Sequence, residues 1–215
     1  MERALRQKQG RTARQYLDGR EYDLDELAPY RIGYGEHCYA LDRIHPNLSR
    51  LIQGRLVFPI QDAVGRVVGF SGRALGSEEP KYRNSPTSSI FSKKLLLYGL
   101  HHAKDAIREE GRVFLVEGYF DAIRCYLRGI RNVVATMGTA VTPLHGIVLA
   151  RYTENAVLAL DSDKAGQAAT KKARIELERA SLQVAGIDLP EGKDPDEFLR
   201  RKSAKAFLAC IRNEG

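Results

Sequence analysis

Cysteine is scarce in this chain, and no long apolar run is present. Its three cysteines, Cys38, Cys125 and Cys210, lie far apart and make neither a CxxC pair nor a zinc spacing. Zinc is therefore not expected, and reduced thiols in a cytosolic protein are the simple reading. No apolar run approaches the roughly 20 residues needed to span a bilayer. The start, Met1-Glu2-Arg3-Ala4-Leu5-Arg6, lacks the apolar core of a signal peptide. A cytoplasmic protein with no membrane partner is the resulting expectation. Internal repeats and long low-complexity stretches are also missing.

The 215 residues are 43% hydrophobic and 28% charged, enough for one large or two small domains with a real core. Acids are in shorter supply than bases, 27 against 34, for a net charge of +7. If several acids converge on one site, the remaining surface is more basic than the total suggests, which favours a polyanionic partner. Taken alone, +7 is equally well explained by solubility.

The stretch to Arg20 is strongly basic and largely helical in pattern, with Gly10 as a weak point. Leu56–Ile60 and Arg66–Phe70 read as strands joined by the turn signal Asp62-Ala63-Val64-Gly65, hence a hairpin. After the loop Gly76–Pro80, residues 81–94 carry Lys81, Arg83, Lys93 and Lys94 without an acid and without a period, so an extended surface segment is predicted.

From Arg112 the pattern alternates. Strands are predicted at Val113–Val116, Val133–Thr136, Ala156–Leu160 and Leu182–Ala185. Helices fall between them at Tyr119–Leu127, ending before Gly129, at Pro143–Ala150 with Thr142 as cap, and at Gly166–Ser181. A final helix is predicted over Pro195–Arg212. The expected fold is α/β, an N-terminal basic α+β subdomain followed by a Rossmann-like, mostly parallel sheet covered on both faces. The expected divisions are residues 1–109, 110–190 and 191–215, the last an acidic loop and helix completing the site.

Six carboxylates stand out: Glu117, Asp121, Asp161, Asp163, Asp194 and Asp196. Glu117 and Asp161 fall at the carboxyl ends of predicted strands, where open α/β sheets bind ligands. Asp121 lies one helical turn after Glu117, so both can face one point. Asp161 and Asp163 share a side of an extended backbone. Pro195 restricts the loop between Asp194 and Asp196. Gathered carboxylates need a positive partner, and a hard divalent cation such as Mg²⁺ or Mn²⁺ is the natural one, with two or more ions accommodated. Each acid alone is better explained as a loop carboxylate or a helix cap, Asp163 as a cap and Asp121 as a partner of Arg124. The joint pattern is harder to explain that way.

Glu117-Gly118-Tyr119-Phe120-Asp121 with Asp161-Ser162-Asp163-Lys164-Ala165-Gly166 resembles the Toprim domain of primases, topoisomerases and some nucleases. Lys81-Tyr82-Arg83-Asn84-Ser85-Pro86, Ile90-Phe91-Ser92-Lys93 and Leu97-Tyr98-Gly99-Leu100 resemble the basic segment that precedes Toprim in bacterial DnaG-type primases. Residues 55–60 and 65–73 resemble the preceding hairpin, and Ala13–Leu17 with Ile32-Gly33-Tyr34 resemble the N-terminal portion. Leu189–Asp196 is similar to the acidic loop after the Toprim sheet. The segment between Gly33 and Arg55 is shorter than in typical members.

The resemblance implies a template-directed RNA polymerase making short primers from nucleoside triphosphates on single-stranded DNA during replication, in a bacterial, phage or plasmid setting near the nucleoid. It implies that Glu117, Asp161, Asp163, Asp194 and Asp196 hold the metals, with Asp121 supporting or ligating. Lys81 and Lys93 join Glu117, Asp161 and Asp163 in the catalytic set. Arg20, Arg55, Arg73, Lys81, Tyr82, Asn84 and Lys93 fall at positions near template or nucleotide. On residues alone, segment 81–94 is equally a solvated basic surface, Tyr82 a partly buried aromatic, and Arg73 a strand-end ion-pair partner. Family primases usually add a zinc-binding domain and a helicase-binding domain. Neither has a counterpart in this sequence, so a helicase contact is expected only through regions outside it. The chain is read as a core fragment or a compact relative. A Toprim nuclease and a non-catalytic single-strand-binding relative are the alternatives.

Overall fold

The computed structural model of the chain describes residues 1–36, 39–44, 48–160, 164–189 and 194–212. Two compact units emerge, Met1–Gln61 with Arg66–Phe91, and Asp62–Gly65 with Ser92–Gly215.

The first unit is α+β. Helices α1 (Glu2–Arg6) and α2 (Arg11–Asp18) are separated by a 3₁₀ turn at Lys8–Gly10, the break that Gly10 predicts. Ala13 and Leu17, one turn apart on α2, are fully buried and seat that helix. Then come β1 (Gly33–Tyr34), α3 (Tyr39–Ile44), α4 (Leu48–Ile52), β2 (Leu56–Gln61), β3 (Val67–Arg73) and β4 (Tyr82–Asn84). The strands form an antiparallel sheet in the order β1-β2-β3-β4. The predicted hairpin is β2–β3, with Leu56 opposite Arg73. Strand β4 was not expected. Three residues are too few to show a period, and the pairing of Tyr82 with Arg73 and Asn84 with Ser71 comes from β3.

The second unit starts with the hairpin turn. Asp62 Oδ1 accepts the Val64 amide at 3.1 Å, and Gly65 supplies the turn's positive φ of 92°. The chain resumes with α5 (Leu100–Glu110), β5 (Val113–Val116), α6 (Tyr119–Leu127), β6 (Val133–Ala135), α7 (Pro143–Leu149), β7 (Asn155–Leu158), α8 (Lys164–Glu178), β8 (Gln183–Ile187), α9 (Pro195–Arg201), α10 (Ala204–Leu208) and β9 (Ile211–Arg212). The sheet order is β6-β5-β7-β8-β9, parallel through β8 and closed by antiparallel β9.

Both sheet faces are covered. Val113 and Leu115 of β5 pack with Leu100, Ala103 and Ile107 of α5 and with Leu177 of α8. Phe114 points the other way and meets Phe207, which in turn meets Phe198, each ring pair 6.1 Å apart. Helix α5 contributes to this core, and the second unit accordingly takes in the chain from Ser92 onward as well as the hairpin turn. The single helix predicted for the tail is instead two helices and a strand. Lys202 is extended, and Ser203 Oγ starts a new helix by accepting the Ala206 amide at 3.2 Å.

Among the described residues, no helix is long and apolar enough to cross a membrane.

Candidate functional site

The order β6-β5-β7-β8 reverses direction between β5 and β7, the place where open parallel sheets leave a crevice at their carboxyl ends. Leu115 pairs with Leu158, and the Ala159 amide donates to the Leu115 carbonyl at 2.9 Å. Glu117, half-buried, directly follows β5 at this edge. Strand β7 runs toward the same edge and leads into Asp161 and Asp163, which lie outside the described residues.

Helix α6 begins two residues after Glu117. Asp121 in its first turn reaches back, and its Oδ2 accepts the Gly118 amide at 2.9 Å. A Cβ on Gly118 would lie 2.6 Å from Asp121 Oδ2, so a larger residue there would displace the carboxylate that accepts this amide. Asp121 Oδ1 accepts the Asp196 amide at 3.3 Å, an N-terminal donor of α9. Asp194 caps α9 itself, its Oδ1 accepting the Glu197 amide at 2.7 Å. Pro195, at the first helical position, has no amide to satisfy.

Asp196 is buried. Its Oδ1 accepts from Arg124 Nε at 2.9 Å, and its Oδ2 faces Arg200 Nε at 3.8 Å. A divalent cation placed on that carboxylate would meet two guanidinium groups. Burial and the nearby Asp121 and Asp196 carboxylates push the Cys125 thiol well above its ordinary range, which keeps it protonated and inert.

The described acids therefore divide. Asp121 and Asp196 are engaged in joining α6 to α9, while Glu117 directly follows β5 and Asp194 caps α9. No group of three metal-ligating side chains is found among the described residues. Glu117 and Asp194 fit a hard divalent ion by their oxygen donors.

In the first unit, Arg73 is held between two tyrosines, its Cζ 5.0 Å from the ring centres of Tyr16 and Tyr82. Arg73 Nη1 donates to the Tyr82 hydroxyl at 2.8 Å. Burial pushes the Tyr82 phenol up to about 12, with Arg73 pulling the other way, so it stays protonated at neutral pH. Arg20 Cζ lies 5.9 Å from the Tyr16 ring centre. Tyr16 escaped the sequence reading, although its spacing from Arg20, one helical turn, was a usable signal. Arg55, grouped by sequence with the nucleic-acid-binding residues, is buried. Its guanidinium donates to the carbonyls of Gly72, Pro80 and Lys81 at 3.2, 3.0 and 3.4 Å, tying the loop before β4 to β3. Lys81 is exposed and Asn84 half-buried on β4, whereas Lys93 belongs to the second unit.

Residues 36–104 match the family described as the DNA primase catalytic core, N-terminal domain, and residues 114–199 match the Toprim-like family. The chain is 34% identical to a DnaG primase catalytic domain solved bound to single-stranded DNA, with a TM-score of 0.84, covering 97% of this chain and 75% of that one. The chain belongs to the DnaG primase family. The Staphylococcus aureus (strain COL) DNA primase is 40% identical over 93% of this chain. The Aquifex aeolicus (strain VF5) DNA primase is 37% identical over 95% of it. The chain spans 32% and 45% of those two primases.

The DnaG assignment accounts for the two sheets together. The antiparallel sheet lies within residues 33–84 and the parallel one runs from 113, each largely within its matched segment. The α6–α9 joint gives Asp121 and Asp196 a structural role in this chain. Sequence spacing alone cannot separate acids that face outward from acids that hold helices together.

Proposed function

We propose that this chain performs primase-type nucleotidyl transfer, joining nucleoside triphosphates into short RNA primers on a single-stranded DNA template in a Mg²⁺- or Mn²⁺-dependent reaction during replication. The observation that carries the reading is Glu117 at the carboxyl end of β5, beside the strand that enters Asp161, in a member of the DnaG family. Relatives named as DNA primases and a related catalytic domain bound to single-stranded DNA support the polymer and the template.

Glu117, Asp161, Asp163 and Asp194 are the proposed ligands, and Asp121 and Asp196 join the helices that follow Glu117 and Asp194. Bound divalent ions supply positive charge where a primer 3′-hydroxyl loses its proton and where pyrophosphate leaves. Lys81 and Lys93 neutralise triphosphate charge. Arg73, only 9% exposed against Tyr16 and Tyr82, supplies positive charge at the template-binding surface, with Arg20 and Asn84 in the same unit. Arg55 supports this surface from within rather than touching the template.

The test is incorporation of labelled nucleoside triphosphates on single-stranded DNA in Mn²⁺, with the product checked for alkali lability. Template-dependent RNA supports the reading. A folded protein that releases cleaved DNA without triphosphates contradicts it.

A further inference from the structure

His145 was not singled out by sequence, yet it is the third residue of α7 and is fully buried. A buried imidazole needs a partner for each ring nitrogen. Nδ1 accepts the Thr142 amide at 3.3 Å, which assigns the neutral ring's proton to Nε2. Nε2 then donates to the Lys93 carbonyl at 2.9 Å. Thr142 Oγ1 donates to the next carbonyl, Lys94, at 2.6 Å. The first turn of α7 thus grips two consecutive carbonyls some fifty positions away in sequence.

The gripped segment needs outside support. Residues 85–99 contain no helix or named strand. The Ser92 carbonyl closes a turn by accepting the Leu95 and Leu96 amides, Tyr98 bridges to Ala135, and the α7 contacts fix the Lys93 and Lys94 carbonyls between them. Helix α7 is a firm base for it, since a Cβ on Gly146 would come within 2.7 Å of the Ala180 Cβ. Only a neutral imidazole offers an acceptor and a donor on one rigid ring in this geometry. Burial favours that neutral form.

We infer that His145 is a positioning residue for Lys93, fixing the backbone from which the lysine side chain reaches a triphosphate. The inference rests on the triphosphate role proposed for Lys93. It adds a residue on a different element, α7, whose side chain acts only through the Lys93 carbonyl.

The experiment is fluorescence anisotropy of N-methylanthraniloyl-ATP with Mn²⁺, on wild type, Lys93→Ala, His145→Phe and the double variant, with thermal unfolding of each. Expected is a loss of affinity of about fivefold or more for His145→Phe in the wild-type background and no further loss in the Lys93→Ala background. His145→Phe binding like wild type, or losses that add in the double variant, overturns the inference. Lys93→Ala binding like wild type overturns the triphosphate role and the inference together. If His145→Phe does not fold, His145→Gln and His145→Asn decide. The longer amide reaches the Lys93 carbonyl and the shorter one only the Thr142 amide. Gln near wild type with Asn weak supports the inference, and equal binding overturns it.

Discussion

Arg124 Nε donates to Asp196 Oδ1 at 2.9 Å, with the two side chains 3% and 1% exposed. The pair ties α6, which starts beside Glu117, to α9, which Asp194 caps. An ion pair removed from water is stable only while both partners remain. Arg124→Leu should therefore cost up to about 3–5 kcal/mol by leaving the buried Asp196 only the more distant Arg200, 3.8 Å away. Arg124→Leu with Asp196→Leu should recover most of that loss, and urea unfolding of the three proteins checks it.

Asp194 has two separable jobs. Its carboxylate caps α9 through the Glu197 amide, and its charge is proposed to hold metal. Asparagine caps as well as aspartate, so Asp194→Asn should keep thermal stability while weakening Mn²⁺ binding in calorimetry. Asp194→Ala should lose both, with about 1 kcal/mol of stability. Equal Mn²⁺ affinity in Asp194→Asn and wild type would remove Asp194 from the ligand set.

Acid should destabilise the second unit below neutral pH. Burial depresses the His145 pKa, and burial followed by the His101 charge depresses that of His102. Each group has its higher pKa, 6.5, in the unfolded chain, which therefore takes up protons first as pH falls. The stabilising contribution is full above 6.5 and is lost as pH drops from there through the folded pKa values. Urea midpoints measured across the neutral-to-mildly-acid range should fall with pH, and less steeply in His145→Gln.

Arg73→Lys should weaken single-stranded DNA binding although the charge is kept. A planar guanidinium stacks between Tyr16 and Tyr82, and an ammonium does not. Anisotropy with a labelled oligonucleotide should show a loss of several-fold, and Tyr16→Leu should share it.

Much of this was legible in advance because it rested on strong local signals. The four parallel strands, the cap at Thr142, the stop at Gly129 and the Asp62–Gly65 turn follow from apolar runs and turn chemistry. Three features escaped for a common reason, that they are made by distant partners. Strand β4 exists through its pairing with β3. The tail splits because Ser203 can recap a helix that propensity alone would continue. Arg55 turned inward because the carbonyls that bind it come from the loop between β3 and β4. Among the acids, sequence grouped Asp196 with Glu117 but could not tell that Asp196, matched by Arg124, is not an outward-facing carboxylate.

The central claim is tested most directly by comparing wild type with Asp161→Ala for synthesis of labelled RNA on single-stranded DNA in Mn²⁺, with unfolding curves run in parallel. The account predicts template-dependent short RNA from wild type and essentially none from Asp161→Ala at unchanged stability. Full synthesis by Asp161→Ala, or none by folded wild type at high concentration, would contradict it.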